Sequence, residues 1–192
     1  MNTDEFYRAE IEKRLSEARF IHSLNVADEA RRLAERYGAD PKKAYTAGLV
    51  HDIMKDAPKD VQRAYVIRSG GGDDPVLMSQ KALWHAIAGA YVLERELGER
   101  DSEILLAVRY HTSGRAGMTL LEKIVFTADF ISADRSYPGV EEMRERASRS
   151  LAEAMEEGLN FTIKDLCEKR RPIYRDTVDA YNDAVFAKEQ GE

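Results

Sequence analysis

The chain has 192 residues, 43% hydrophobic and 33% charged, with a net charge of −6 and one cysteine. This length suits a single domain with a full core, and one cysteine excludes an internal disulfide framework or a thiolate-rich zinc or iron–sulfur site, so any metal must bind through imidazole and carboxylate. The acidic balance argues against a nucleic-acid polymer as the main ligand, which calls for a basic face, but leaves room for a small phosphate compound on a local basic patch.

The N-terminal "MNTDEFYRAEIEKRL" is charged from its start and has no apolar signal core. No run approaches the roughly 18 apolar residues of a membrane span, so a cytoplasmic protein without membrane contact is expected. Apolar residues recur at three and four and no segment sustains a strand's alternation, which predicts an all-α fold, a helical bundle in one domain over 1–192. In "FIHSLNVADEARRLAERYG", Ile21, Leu24, Ala27, Ala30, Leu33, Ala34 and Tyr37 form one stripe, ended by Gly38. Asp40-Pro41 caps and opens the next helix, which carries "AYTAGLVHDIMK" and ends by Pro58. "KDVQRAYVIRS" reads as a short helix before a surface loop, "GGGDDP". "VLMSQKALWHAIAGAYVLERELG" is one helix or a pair ending at Gly98, and "DSEILLAVRYHTSG" has an acidic first turn and a stop at Gly114. Thr119 and Glu122 have capping-box spacing ahead of "KIVFTADFI". A charged helix from about Val140 to Glu157 is expected to pause at "GLN", and "RRPIYRDTVDAYNDAVFAKE" closes the chain.

The stretch "AGLVHDIMKD" sets His51 and Asp52 in a tract that reads as buried. Burying even a neutral polar group without compensation costs on the order of 2 to 7 kcal/mol, so a hydrogen-bonding neighbour, a cation or a metal must meet the pair. The four histidines, His22, His51, His85 and His111, all fall in or at the end of predicted helices among apolar neighbours. Any one alone is more often a satisfied core or surface histidine than a ligand. Together with Asp52, and with Asp129 in the apolar run "FTADFI", they make a candidate metal set, because imidazole and carboxylate suit first-row metals and leave positions open for water and substrate. Adjacent helical residues point about 100° apart, so His51 and Asp52 can share an ion only over their bisector, with other ligands arriving from neighbouring helices. Lys55, one turn on, shares their face, where it can meet phosphate or simply complement the helix dipole. Asp56 either orients Lys55 or serves as a turn residue. "KRRPIYR" is a solvated basic turn or a pocket lid. Trp84, Tyr91, Tyr110 and Phe126 read as core, and Cys167 as a small buried hydrophobe.

The order His22, His51-Asp52, Asp129 on helices resembles the HD superfamily of metal-dependent phosphohydrolases. Within it, "RFIHSLNVADEARRLAERYG", "AGLVHDIMKD", "WHAIAGAYVL", "AVRYHTSGRAGMTLLEKIVFTADFISADRSYPGV" and "PIYRDTVDAYN" resemble the YqeK family over nearly the whole chain; "HTSGRAGMT" and "ADFISADR" are the most specific parts. The resemblance implies an HD core over about 17–135, and C-terminal helices with a nucleotide-covering segment over about 136–192. It implies a symmetrical diadenosine tetraphosphate hydrolase that yields two ADP with iron at its HD site, although the same ligands accept manganese, cobalt or zinc. By that resemblance His22, His51, Asp52 and Asp129 bind the principal metal, and His85 and His111 bind a second metal or phosphate oxygens. Asp52, Lys55, His85 and His111 are the implied catalytic residues. Nucleotide contacts are implied for His22, Lys55, Asp56, His85, His111, Thr112, Asp129 and Arg135, with Pro172, Ile173, Tyr174, Arg175 and Thr177 in a segment closing over the nucleotide. A homodimer rests on the same analogy.

Two departures from the family pattern bear on nucleoside preference more than on chemistry. Arg175 stands where a proline is usual, and Ser132 and Ala133 replace residues of the commoner "ADYIEP.R". Competing readings are another nucleotide-acting HD phosphohydrolase, such as a deoxynucleotide phosphatase or a cyclic-dinucleotide phosphodiesterase, the latter disfavoured because "TSGRAGM" lacks a "GYP" element. A mixed-valent di-iron oxygenase could use the same six ligands. A nucleotide-binding regulatory module with a structural metal site is opposed by the intact ligand set.

Overall fold

A computed structural model of the chain describes residues 3–189, among which every regular element is a helix. These are α1 (Asp4–Arg14), α2 (Glu17–Tyr37), α3 (Pro41–Val50), α4 (Lys59–Arg68), α5 (Pro75–Ser79), α6 (Trp84–Arg95), α7 (Ser102–Tyr110), α8 (Leu120–Ile131), α9 (Val140–Arg149), α10 (Leu151–Glu168) and α11 (Arg175–Glu189). The all-α expectation holds, and no described helix is long and apolar enough to cross a membrane.

α2 packs on α3 and α8, and α7 lies against α3, α6 and α8. Val26, Ala30 and Leu33 of α2 bury with Ala47 of α3, Ile104 of α7 and Ile124, Val125 and Ala128 of α8. The closest approach is at Gly48, where an added Cβ would stand 2.8 Å from Ala27 Cα and 2.9 Å from Val26 O. Only a glycine lets α2 and α3 meet at this separation, which brings His51, just past the end of α3, opposite His22 of α2. α10 covers α8 from the other side and carries α9 and α11.

The expected signals appear where they were read. Gly38 ends α2 at φ 78°, Asp40 accepts from Lys42 N and Lys43 N ahead of Pro41, and Thr119 and Glu122 close a reciprocal capping box. The "VLMSQKALWHAIAGAYVLERELG" tract resolves into the pair α5 and α6.

Five details differ from expectation. α3 stops at Val50, and residues 51–56 continue as successive turns closed by Ile53 N to Val50 O and Lys55 N to Asp52 O. Pro58 denies the helix a continuation. Buried Gln62 of α4 then donates to the freed carbonyls of Met54 (2.9 Å), Lys55 (3.2 Å) and Ala57 (2.9 Å). The long helix expected to pause at "GLN" breaks earlier: Ser150 adopts an extended backbone and caps α10 through Glu153 N, while Gly158 lies mid-helix because its missing side chain admits the ring of Phe126. Ile21, placed on the apolar stripe, is 48% exposed, since α2 turns His22, Ser23 and Val26 inward instead. Cys167 is exposed rather than buried, because the buried face of α10 ends at Leu159. Trp84 and Phe126 are core, as read, whereas Tyr91 and Tyr110 are half-buried at the surface.

Candidate active site

The four histidine rings pack edge to face in one chain of contacts. Centroids are 5.3 Å apart for His22 and His51, 4.9 Å for His51 and His111, and 5.0 Å for His85 and His111. All four are buried, from α2, the turn after α3, α6 and the end of α7. Asp52 is buried among them and half-buried Asp129 enters from α8.

Three of the rings are aimed by what the other nitrogen does, while His85 Nδ1 is buried without a hydrogen-bond partner among the described residues. His51 Nδ1 donates to Gly48 O and His111 Nδ1 to Val108 O, both at 2.7 Å; a carbonyl can only accept, so both Nδ1 atoms carry the proton and Nε2 keeps its lone pair. His22 Nδ1 lies 2.7 Å from Asp134 Oδ2, and its Nε2 lies 3.0 Å from Asp129 Oδ1. His85 Nε2 stands 3.0 Å from His111 Nε2 and 3.0 Å from Asp52 Oδ1, with Lys55 Nζ at 3.1 Å and Thr112 Oγ1 at 3.3 Å.

Lone pairs thus converge without enough donors to meet them. His51 Nε2 and Asp52 Oδ1 are buried and make no hydrogen bond among the described residues. A cation removes that cost, and the donor set fits one. Ligand atoms of His22, His51 and Asp129, and of His51, Asp52 and His111, lie within 4.8 Å of one another, two groups that share His51. His85 is in neither group but touches the second through Asp52 and His111. Hydrogen bonds from the far nitrogens to carbonyls and a carboxylate are the outer support that metal-binding histidines require.

The charge states suit this arrangement. Burial holds the His51 imidazole down at about 4 against the pull of Asp52 and Asp129, and holds His85 at about 3 despite Asp52. Both are neutral and available as ligands near pH 7. Burial works to raise Asp52, but His51, His111, His85 and Lys55 outweigh it and keep the carboxyl well below its usual range. Asp129 follows the same pattern, with His22, His51 and Arg135 overcoming burial.

Cations stand on both flanks. Lys55 Nζ is 3.5 Å from Asp52 Oδ1 on one side. On the other, Arg135 donates through Nε to Asp129 O at 2.7 Å and through Nη2 to the Asp129 carboxylate, with His22 Nε2 at 3.4 Å.

A family model described as the HD domain matches residues 19–134, well over half the chain. The chain belongs to the HD domain family. Among curated HD relatives, the "Bis(5'-nucleosyl)-tetraphosphatase, symmetrical" of Bacillus subtilis (strain 168) is 42% identical over 90% of this chain and 92% of its own length. The protein of the same name from Halalkalibacterium halodurans is 40% identical over 92% of this chain and 94% of its own length. A solved structure from Clostridium acetobutylicum, titled a predicted HD superfamily hydrolase involved in NAD metabolism, superposes with a TM-score of 0.92 at 33% identity, covering 97% of this chain and 98% of its own.

The other residues singled out in this HD chain divide by position. Thr112 lines a small cavity with Leu83, Ile87, Tyr110 and Tyr174, beside the histidine cluster through its 3.3 Å contact to His85. Pro172 accepts at its carbonyl from Gln80 Nε2, Thr177 is buried with its N–H donating to Tyr174 O at 3.0 Å, and Ile173 is half-buried between them. Arg175 points outward, its side chain 88% exposed, with Nε 3.3 Å from Asp179 Oδ2. Asp56 turns away from the cluster and accepts from Ser16 N at 2.8 Å and Ser16 Oγ at 2.7 Å, tying the turn after α3 to the start of α2. Ser132, which caps the end of α8, is buried and Ala133 exposed.

Three participants were not expected, although Arg19 and Asn25 lie in "RFIHSLNVADEARRLAERYG" and Asp134 in "ADFISADR". Arg19 reaches Asp52 Oδ2 at 3.3 Å, Asp134 holds His22, and Asn25 Nδ2 supports Asp134 Oδ1 at 3.1 Å. His22 and Asn25 are three apart and so share a helix face, which hints at a common partner but not which one.

Proposed function

We propose that this chain hydrolyses diadenosine tetraphosphate symmetrically to two ADP in a metal-dependent reaction. The observation that carries the reading is the buried, donor-poor convergence of His51 Nε2 and Asp52 Oδ1 with their neighbours, flanked by Lys55 and Arg135. The names of the curated relatives, which match over nearly their full lengths, support the substrate class.

His22, His51, Asp52 and Asp129 would hold the principal metal, iron by resemblance to the family, with manganese, cobalt or zinc chemically admissible. Bound there, the metal supplies an acidified water near neutral pH and neutralises phosphate charge. His85 Nε2, 3.0 Å from Asp52 Oδ1 and outside both ligand groups, would take the proton which the attacking water gives up. Lys55 and Arg135 meet the charge that develops on the departing ADP oxygens, and Thr112 orients a phosphate beside His85. The segment from Pro172 to Thr177 closes on the nucleotide through Tyr174, while Arg175 and Asp56 lie outside the pocket. Two ligand groups sharing His51 also favour a second ion on Asp52 and His111, serving the same hydrolysis.

The test is product analysis. Protein loaded with iron or manganese and given diadenosine tetraphosphate should release ADP alone on ion exchange. ATP with AMP would exclude symmetrical cleavage, and no turnover would exclude the substrate. Elemental analysis of the protein as isolated identifies the metal.

A further inference from the structure

A second cavity, of about 250 Å³, opens on the Arg135 side of the cluster and is lined by Asp129, Phe130, Arg135, Tyr137 and Phe161. The Tyr137 and Phe161 rings lie 6.0 Å apart at 30°, and Phe161 is 51% exposed on α10 although it is a large apolar side chain. Tyr137 Oη is buried and has no hydrogen-bond partner among the described residues. None of this serves the core: Phe130 already packs on Phe126 at 5.2 Å, and the outer rings extend the layer towards solvent.

We propose that this aromatic cavity binds the purine base of the second ADP half of the substrate. The inference rests on the symmetrical reaction proposed above. When a tetraphosphate is cut at its middle, the reacting phosphorus sits at the histidine cluster and one nucleoside must lie on each side of it. Lys55 Nζ and Thr112 Oγ1 stand beside His85 at 3.1 and 3.3 Å, and the Phe130, Tyr137 and Phe161 cavity lies against Asp129 and Arg135. The second cavity is continuous with the cluster because Asp129 and Arg135 line its inner end. Its guanidinium complements phosphate, and its aromatic faces complement a flat base. Phe161 and Tyr137 are therefore binding contacts of the distal nucleoside.

The test compares Phe161→Ala with Phe161→Tyr in metal-loaded protein turning over diadenosine tetraphosphate, with manganese binding measured in parallel. Stacking losses predict a KM raised about tenfold or more in F161A and returned to within about threefold of the parent in F161Y, with manganese affinity retained in both. A KM within about twofold of the parent in F161A, or a rise that F161Y does not recover, or one accompanied by weakened manganese binding, overturns the subsite. If the parent chain releases ADP, those outcomes sink the subsite alone; if it releases none, the functional reading falls and the subsite with it.

Discussion

His22 shows how a ligand's orientation is supported by residues that do not themselves meet the metal group. Burial works to lower its imidazole, yet Asp129 and Asp134 outweigh burial, and Arg135 beside it, and raise it. The 2.7 Å contact from Asp134 to Nδ1, itself steadied by Asn25, leaves Nε2 turned towards Asp129 and the metal group. Loss of such an outer carboxylate typically weakens metal affinity about 10- to 100-fold. Asp134→Ala should therefore lower metal affinity by about that factor while Asp134→Asn, which keeps an accepting oxygen, recovers part of it; a metal titration of apo-protein reads both. The ligands themselves were legible because the order of His22, His51-Asp52 and Asp129 is distinctive. Asp134 and Arg19 were not, because their roles depend on where the loop after α8 and the first turn of α2 come to rest.

At the scale of elements, the doublet lies on a run of turns rather than within α3, and that run is held from outside. The expectation of a continuing helix failed where local periodicity ignores tertiary donors. The run of turns after α3 leaves the carbonyls of Met54, Lys55 and Ala57 short of partners; the amide of Gln62 in α4 donates to all three, and Ala57 N adds a 3.3 Å bond to Met54 O. The same cause explains the early break at Ser150, since a residue able to cap α10 competes with continuation of α9. Helix identities and most caps were readable because they are local. Gln62→Leu keeps volume but removes the amide from those carbonyls, and should cost about 1 to 3 kcal/mol in chemical denaturation. The same substitution should reduce turnover more than it reduces helical content by circular dichroism, because Lys55 sits on the freed turn.

At the scale of the whole molecule, the bundle gathers ligands from four segments far apart in sequence, and without a cation it buries titratable groups at a cost that depends on pH. For His51 and His85 the folded values of about 4 and about 3 lie below the ordinary 6.5, so between those limits the unfolded chain binds protons that the folded chain refuses. Their contribution is fully present above 6.5 and is lost as the pH falls towards 4. His22 is raised and acts oppositely, contributing below 6.5 and losing that contribution as pH rises through its folded value. Two lowered groups outweigh one raised group, and Asp52 and Asp129, both held low, add their own loss below the ordinary 3.8. Chelator-treated protein should therefore melt at progressively lower temperature as the pH is taken from about 7 to about 4. Metal should stabilise the fold at pH 7 by about 2.7 kcal/mol at 100 times Kd, and so raise the melting temperature in a concentration-dependent way, because it binds the assembled ligands and not the unfolded chain. Its effect should fade across the same acid range, where protons compete for the imidazoles. A melting temperature insensitive to both chelator and added metal would mean that the cluster satisfies itself without an ion.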